Sequence, residues 1–311
     1  MKKYFITGVC GFVGRYFVEC LRSHEPDADI VGIDIMPQTE IPNIQYFQLD
    51  LTNKESVRQI LAQEKPNYIV HLAAISSVAQ SWQDPATCFL NNVSSFLNLV
   101  ENIRDLGIAC RMLVIGSSEE YGQHDSPLKE DLPLNPQNPY AVTKVSQEYL
   151  SKLYADRFGM DIVMTRSFNH IGPGQSTRFV IPSFIEQLVA ISEGKKENKM
   201  MVGNIDVIRD FLDVRDVVEA YYTIMTNGKK REVYNVCSGV GVKLRDIIKT
   251  AAAQLNITPC VDIDPERIRV NEVKSVVGDN AKLRQELGWY PLFTIEQTIK
   301  DIIEALPKQG Y

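Results

Sequence analysis

A chain of 311 residues, 44% hydrophobic and 23% charged, has room for a large buried core and reads as an ordinary globular protein. A formal net charge of -6, with no basic run interleaved with aromatics, excludes a nucleic-acid surface, so an anionic substrate has to be met by local arginines. No apolar run is long enough to span a membrane and the strand-like Tyr4-Phe-Ile-Thr leaves no room for a signal peptide, so a cytoplasmic protein is expected.

In chain order, short apolar runs read as strands over residues 4–7, 30–33, 46–49, 68–72, 112–115 and 162–166. Helical patterns fall between them at 12–23, 54–64, 85–106 and 139–158, the last stopping at Gly159. This alternation is the signature of an α/β fold, a Rossmann-type doubly wound parallel sheet covered on both faces. After Asn169 the rhythm breaks into Gly172-Pro-Gly-Gln, a helix near 182–193 and the polar stretch Glu-Gly-Lys-Lys-Glu-Asn-Lys. A helix near 214–226 and a strand over 233–236 return to the main sheet. The expected organisation is a dinucleotide-binding domain over 1–169, rejoined near 207–238, and a smaller C-terminal α/β substrate lobe drawn mainly from 170–311.

Gly8, Gly11 and Gly14 sit between the first strand and the first helix, where a tight turn must bring backbone N–H groups against a pyrophosphate. Their spacing is Gly-x-x-Gly-x-x-Gly, a variant of the dinucleotide fingerprint. Asp34 follows Gly14 by 20 residues at the end of the second strand, where a carboxylate accepts from both adenosine ribose hydroxyls. With no arginine beside it, a 2′-phosphate meets repulsion, so NAD(H) is expected over NADP(H). Asp50, after the third strand, is placed to meet the adenine amino group, and Ala73 and Ala74 are small enough for close backbone approach. Asn92 lies in a largely apolar helix, either bracing the neighbouring strand or standing as a satisfied core amide.

The six cysteines (Cys10, Cys20, Cys88, Cys110, Cys237 and Cys260) are scattered without Cys-x-x-Cys spacing and read as reduced thiols. His71 fits the interior of the sheet better than a metal site, and His24, His124 and His170 stand isolated, so no metal is expected.

If Asn138 caps a helix and Pro139 takes its first position, Tyr140 and Lys144 lie four residues apart on one face. Alone, such a pair is an ordinary surface contact. Behind a glycine loop it has a chemical purpose, because a phenol near pKa 10 trades protons at neutral pH only when nearby positive charge stabilises its anion. Lys144 supplies that charge and holds the cofactor ribose. Ser117, close to the end of the run Arg111-Met-Leu-Val-Ile-Gly-Ser117, donates to the reacting oxygen while Tyr140 moves the proton.

These residues resemble the extended short-chain dehydrogenase/reductases, the nucleotide-sugar epimerases, dehydratases and reductases. The likeness covers essentially the whole chain, through Thr7-Gly8-x-x-Gly11-Phe-x-Gly14, His71-Leu-Ala-Ala, Asn92, Ser117, Tyr140-x-x-x-Lys144, Arg209-Asp-Phe-x-Asp-Val-Arg-Asp and Tyr234-Asn-Val-x-Ser-Gly. One departure is Val93-Ser-Ser95, where many members carry a glycine. The resemblance implies cofactor contacts from Phe12, Val13, Ile35, Leu51 and Leu72, and substrate contacts from Ser76 and Val180.

Three stretches look like the branch that handles GDP-sugars: Phe168-Asn-His-Ile-Gly-Pro-Gly-Gln-Ser, Arg269-Val-Asn-Glu272-Val with Val277-Gly-Asp-Asn, and Ile115-Gly-Ser-Ser-Glu-Glu-Tyr-Gly122. Arg209 and Arg269 suit a diphosphate, Glu272 a ribose hydroxyl, and Asn169 a phosphate or sugar hydroxyl; ion pairs with Asp210 and Glu272 are the bland alternative for the two arginines. The Ser-Ser-Glu-Glu-Tyr wording is similar to the reductases. Glu119 matches the glutamate that dehydratases use for elimination, so a 4,6-dehydratase is the alternative, as is a C4 epimerase.

The resemblance therefore implies NADH-dependent reduction of GDP-4-dehydro-6-deoxy-D-mannose by Ser117, Tyr140 and Lys144. A non-catalytic dinucleotide sensor is the alternative from another class, and the intact trio argues against it. Apolar residues on the helices near 85–106 and 139–158, including Phe89, Phe96, Tyr149 and Tyr154, suggest a homodimer through a four-helix bundle.

Overall fold

A computed structural model of the chain describes residues 1–125, 127–268 and 273–306. Strands β1 (Lys3–Thr7), β2 (Asp29–Asp34), β3 (Gln45–Gln48), β4 (Tyr68–His71), β5 (Arg111–Ser117) and β6 (Asp161–Ser167) are interleaved with α1 (Phe12–His24), α2 (Lys54–Glu64), α3 (Val78–Gln83), α4 (Pro85–Phe89), α5 (Ser95–Asp105) and α6 (Pro139–Phe158). There follow β7 (Asn169–Ile171), α7 (Val180–Ser192), β8 (Lys199–Val202), β9 (Ile208–Asp213), α8 (Val214–Asn227), β10 (Val233–Val236), β11 (Gly241–Lys243), α9 (Leu244–Gln254), β12 (Cys260–Ile263), β13 (Ser275–Val276), α10 (Ala281–Leu287) and α11 (Ile295–Ala305).

Seven strands form one sheet in the order β10-β6-β5-β4-β1-β2-β3, and every neighbouring pair is parallel. The fold is thus the doubly wound Rossmann type. Apolar strand runs such as Tyr4-Phe-Ile follow from burial on both faces. On one face Phe17 and Leu21 of α1 pack with Val217 and Tyr221 of α8; on the other, Val57 and Leu61 of α2 pack with Phe96 and Leu99 of α5. Strand order reverses between β1 and β4, and the crevice at their carboxyl ends is where ligands bind in sheets of this kind.

β9 pairs with β7, β11 and β13 in a smaller sheet, so the chain rejoins the large sheet at α8 and β10. Asp210 ties this small sheet together. Its buried carboxyl accepts from Ser238 N at 2.8 Å and Ser238 Oγ at 2.6 Å, and from Gly239 N at 2.9 Å and Gly278 N at 3.2 Å. Phe184 and Ile185 of α7, Ile247 and Ile248 of α9 and Ile299 of α11 form the core alongside.

Several elements differ from the sequence reading. The helix expected over 85–106 is α4, a π turn at Leu90–Ser94 and then α5, because the buried Asn92 bonds outside its own helix. α7 starts at Val180 rather than 182, which puts Pro182 in the first turn where its missing N–H costs nothing. α3 and the short strands of the small sheet are too brief to show a period in sequence. Phe96 and Tyr154 pack on the large sheet, whereas Phe89 and Tyr149 are exposed. No described helix is long and apolar enough to cross a membrane.

Candidate active site

The glycine loop opens the crevice. Gly8 has φ 70°, and a Cβ there would sit 2.8 Å from Ala73 N; one on Gly14 would sit 2.4 Å from Val9 O. Backbone therefore approaches backbone where any side chain would collide. Gly11 precedes α1 without a side-chain cap, and the first turn, beginning with Phe12 and Val13, carries no acid. The helix keeps its orphan N–H groups and partial positive charge for an anion, so these residues fit a pyrophosphate. Thr7 Oγ1 accepts from Ala73 N at 3.2 Å and shares a 2.9 Å hydrogen bond with His71 Nδ1, which locks Leu72, Ala73 and Ala74 beside the loop.

Asp34 ends β2 with its carboxylate turned toward the same loop, accepting from Cys10 N at 3.0 Å and Met36 N at 3.2 Å. Ile35 beside it is exposed. Asp50 spends one oxygen on its own turn, accepting from Thr52 N at 2.9 Å and Thr52 Oγ1 at 2.7 Å, and the Leu51 side chain lies in the core.

Ser117 is the last residue of β5, and Tyr140 and Lys144 project from the start of α6. That helix begins at Asn138, whose Oδ1 accepts from Ala141 N at 2.8 Å, with Pro139 in its first turn. Burial pushes the Tyr140 phenol up, and the Ser117 hydroxyl facing it pulls it back. Lys144 Nζ donates to Ile115 O at 2.7 Å and Gln147 Oε1 at 3.1 Å and lies 5.9 Å from the centre of the Tyr140 ring. Burial brings its ammonium down to about 8. A phenol, a hydroxyl and an ammonium converge where a proton can be given to, or taken from, an oxygen in the crevice.

Asn92 braces this arrangement. Its Oδ1 accepts from Ile75 N at 2.8 Å, and its Nδ2 donates to Ile75 O at 3.1 Å and Thr143 Oγ1 at 2.9 Å. Its main-chain carbonyl accepts from Gln147 Nε2 at 2.7 Å. The loop after β4 is thereby fixed to the helix that carries Lys144. Thr143 and Gln147 were not singled out in the sequence, although Gln147 stands one helical turn beyond Lys144 and that spacing was the available signal.

Glu119 follows Ser117 and accepts from Asn138 Nδ2 at 2.8 Å. Glu120 is fully buried behind Ser117, and burial pushes its carboxyl up. His71 is held neutral, pulled down to about 3 by burial and by Lys144. His24 is not isolated in space: its Nε2 lies 2.7 Å from Glu219 Oε2, and Cys20 Sγ donates to Glu219 Oε1 at 3.5 Å. α8 brings Glu219 against α1, a pairing invisible in sequence. Cys260, among the thiols, is exposed.

The small sheet gathers part of the expected substrate set. Asn169 on β7 stands in register with Phe211 on β9 and donates to Asp210 O at 3.4 Å, and Arg209 lies on β9 with Nη1 donating to Ile208 O at 2.8 Å. Val180 is exposed at the start of α7, and Ser76 is exposed in the loop between β4 and α3. Arg269 and Glu272 lie outside the described residues.

The family model described as GDP-mannose 4,6 dehydratase matches residues 5–302. The chain is 36% identical over 306 residues to GDP-6-deoxy-D-mannose reductase of Pseudomonas aeruginosa, covering 97% of this chain and 96% of that protein. It is 29% identical to GDP-6-deoxy-D-talose 4-dehydrogenase of Aggregatibacter actinomycetemcomitans, with coverage of 98% and 97%. The solved structure of RMD from Pseudomonas aeruginosa complexed with NADPH superposes with a TM-score of 0.88 at 33% identity, over 98% of each chain.

Proposed function

The chain belongs to the GDP-mannose 4,6-dehydratase family, and from that premise we propose that it reduces the C4 ketone of GDP-4-dehydro-6-deoxy-D-mannose to give GDP-6-deoxy-D-mannose, using NADH. The observation that carries this reading is the convergence of buried Ser117 at the end of β5 with buried Tyr140 and Lys144 on one face of α6. That trio suffices for a ketone reduction, and the P. aeruginosa relative supports the substrate.

A bound nicotinamide supplies the hydride that C4 receives. Gly8, Gly11, Gly14, Phe12 and Val13 would hold its pyrophosphate, and Asp34 and Ile35 the adenosine ribose; Asp50 and Leu51 flank the adenine, with Leu72, Ala73 and Ala74 along the crevice. Ser117 donates to the C4 oxygen and orients it. Tyr140 gives its proton to that oxygen as negative charge develops there. Lys144 stabilises the resulting phenolate by its charge and would hold the cofactor ribose. Asn169 and Arg209 are the candidates for the sugar and diphosphate end, with Ser76, Val180, Arg269 and Glu272 completing the set.

The preference for NADH over NADPH rests on Asp34, whose carboxylate would repel a 2′-phosphate. The P. aeruginosa neighbour was solved with NADPH, so both cofactors belong in the assay. A homodimer is supported by the exposure of Phe89 at 47%, Leu90 at 59%, Tyr149 at 53% and Leu153 at 61% on α4, the π turn and α6. Free thiols at Cys20, Cys88 and Cys237 support a cytoplasmic location.

The second reading is 4,6-dehydration of GDP-mannose, favoured by Glu119 beside Ser117. The deciding experiment follows NADH on addition of GDP-4-dehydro-6-deoxy-D-mannose, with the product identified by NMR. Oxidation with formation of the 6-deoxy-mannose product supports the proposal. A talose product corrects its stereochemistry, and no oxidation overturns it.

A further inference from the structure

Glu120 takes no part in the chemistry above, yet its carboxyl is fully buried against the residues that do. Its Oε1 accepts from Ser117 N at 2.7 Å. Its Oε2 is buried with no hydrogen-bond partner among the described residues. A Cβ at residue 116 would lie 2.3 Å from Thr165 O of the neighbouring strand and 2.5 Å from Oε1, so glycine there leaves room for both. On the same stretch of β5, one residue before Gly116, Ile115 O accepts from Lys144 Nζ at 2.7 Å. Glu120 and Lys144 are therefore hung on opposite ends of Ile115-Gly116-Ser117.

The partners of Lys144 among the described residues, Ile115 O and Gln147 Oε1, are neutral acceptors. A buried ammonium held this way is costly unless a carboxylate lies near. Burial raises Glu120 and lowers Lys144, while the charge of each favours ionisation of the other. The remaining groups facing Glu120 are Glu148 on α6, which opposes its ionisation, Arg166 on β6, which favours it, and the Tyr140 phenol, which the charge of Glu120 pushes up; Glu148 and Arg166 are themselves paired at 2.8 Å. Facing Lys144 are Cys88 on α4, a thiol pushed up by burial, and the neutral His71 on β4. Neither competes with Glu120 as a countercharge.

We propose that Glu120 is a positioning residue for Lys144: its carboxylate is the countercharge that keeps the buried ammonium charged, while its Oε1 holds Ser117 in place. The proton leaves the carboxyl for solvent and none is exchanged with substrate. Two groups coupled in this way lose their protons in separate steps that belong to the pair. This rests on the role given to Lys144 under the proposed function.

Glu120→Gln tests it, because the amide oxygen still accepts the Ser117 N–H and only the charge is lost. The pH profile of the NADH dissociation constant, which needs no turnover, is measured beside that of kcat/KM. In the variant the alkaline limb of both should move down by about one pH unit, a tenfold loss of proton affinity at Lys144, with little change at pH 6. Glu120→Val should show the same shift and a lower rate at every pH, since Ser117 loses its anchor. Superimposable profiles for Glu120→Gln and the unaltered protein overturn the proposal and leave Glu120 as a helix cap.

Should the variants not fold, infrared titration of the unaltered protein decides. A buried carboxyl that ionises below the NADH-binding limb supports the proposal, and one that stays protonated through it overturns it. Absence of turnover with the GDP-sugar refutes the substrate assignment, and the NADH profile still answers for Glu120.

Discussion

Asn138 Nδ2 donates to Glu119 Oε2 at 2.8 Å while Asn138 Oδ1 caps α6 through Ala141 N, also at 2.8 Å. One amide thus starts the helix that carries Tyr140 and tethers the acid next to Ser117. An elimination needs that acid to reach a sugar carbon, whereas a reductase needs it only as a hydroxyl acceptor. Glu119→Gln should therefore leave ketone reduction within about an order of magnitude of the unaltered rate, while a dehydratase would lose about 10²–10⁴-fold. NADH-linked turnover and GDP-mannose dehydration, assayed side by side, separate the two.

Tyr140→Phe removes the proton donor and leaves the glycine loop untouched. Turnover should fall by about 10²–10⁴-fold, with NADH affinity retained in a fluorescence titration. Substantial residual activity would refute the role of Tyr140.

Asp34→Ser removes the carboxylate beside the loop. A hydrogen bond to a charged group contributes about 1.5–3 kcal/mol, so NADH should bind roughly tenfold to a hundredfold more weakly, and NADPH should gain relative to it. Dissociation constants for both cofactors check this; equal use of the two by the unaltered protein would remove Asp34 as a selector.

Asp210→Ala leaves the Ser238, Gly239 and Gly278 amides without their acceptor. Each unsatisfied buried donor costs about 1–3 kcal/mol, so unfolding in urea should begin at a clearly lower concentration, the small sheet being affected first. Hydrogen exchange at Ser238 and Gly239 reads the local loss.

Leu153→Asp places a charge in the exposed apolar strip of α6, where Leu153 is 61% accessible. If two copies pair through this face, the variant should sediment as a monomer at concentrations where the unaltered protein is a dimer. A monomeric unaltered protein contradicts the pairing.

Most of the large sheet was legible in the amino-acid order. Its parallel strands are buried on both faces and so appear as apolar runs, and Gly8, Gly11, Gly14, Asn138, Pro139 and Gly159 mark boundaries by local backbone chemistry that acts over a few residues. The placement of Ser117, Tyr140 and Lys144 was readable for a similar reason, since each stands near a strand end or helix start whose position follows from those marks.

Only the tertiary structure decided which distant groups meet. Asn92 sits in a π turn because Ile75 and Thr143 offer it partners, His24 meets Glu219 because α8 packs on α1, and Asp210 joins three segments that are far apart in the chain. The surroundings of Glu120 were equally hidden. Local sequence sets propensity and capping, but burial and the charge around a side chain are properties of everything packed against it. The same Glu-Glu pair therefore reads as two alike carboxylates in the chain and becomes, once folded, one tethered to Asn138 and one sealed behind Ser117.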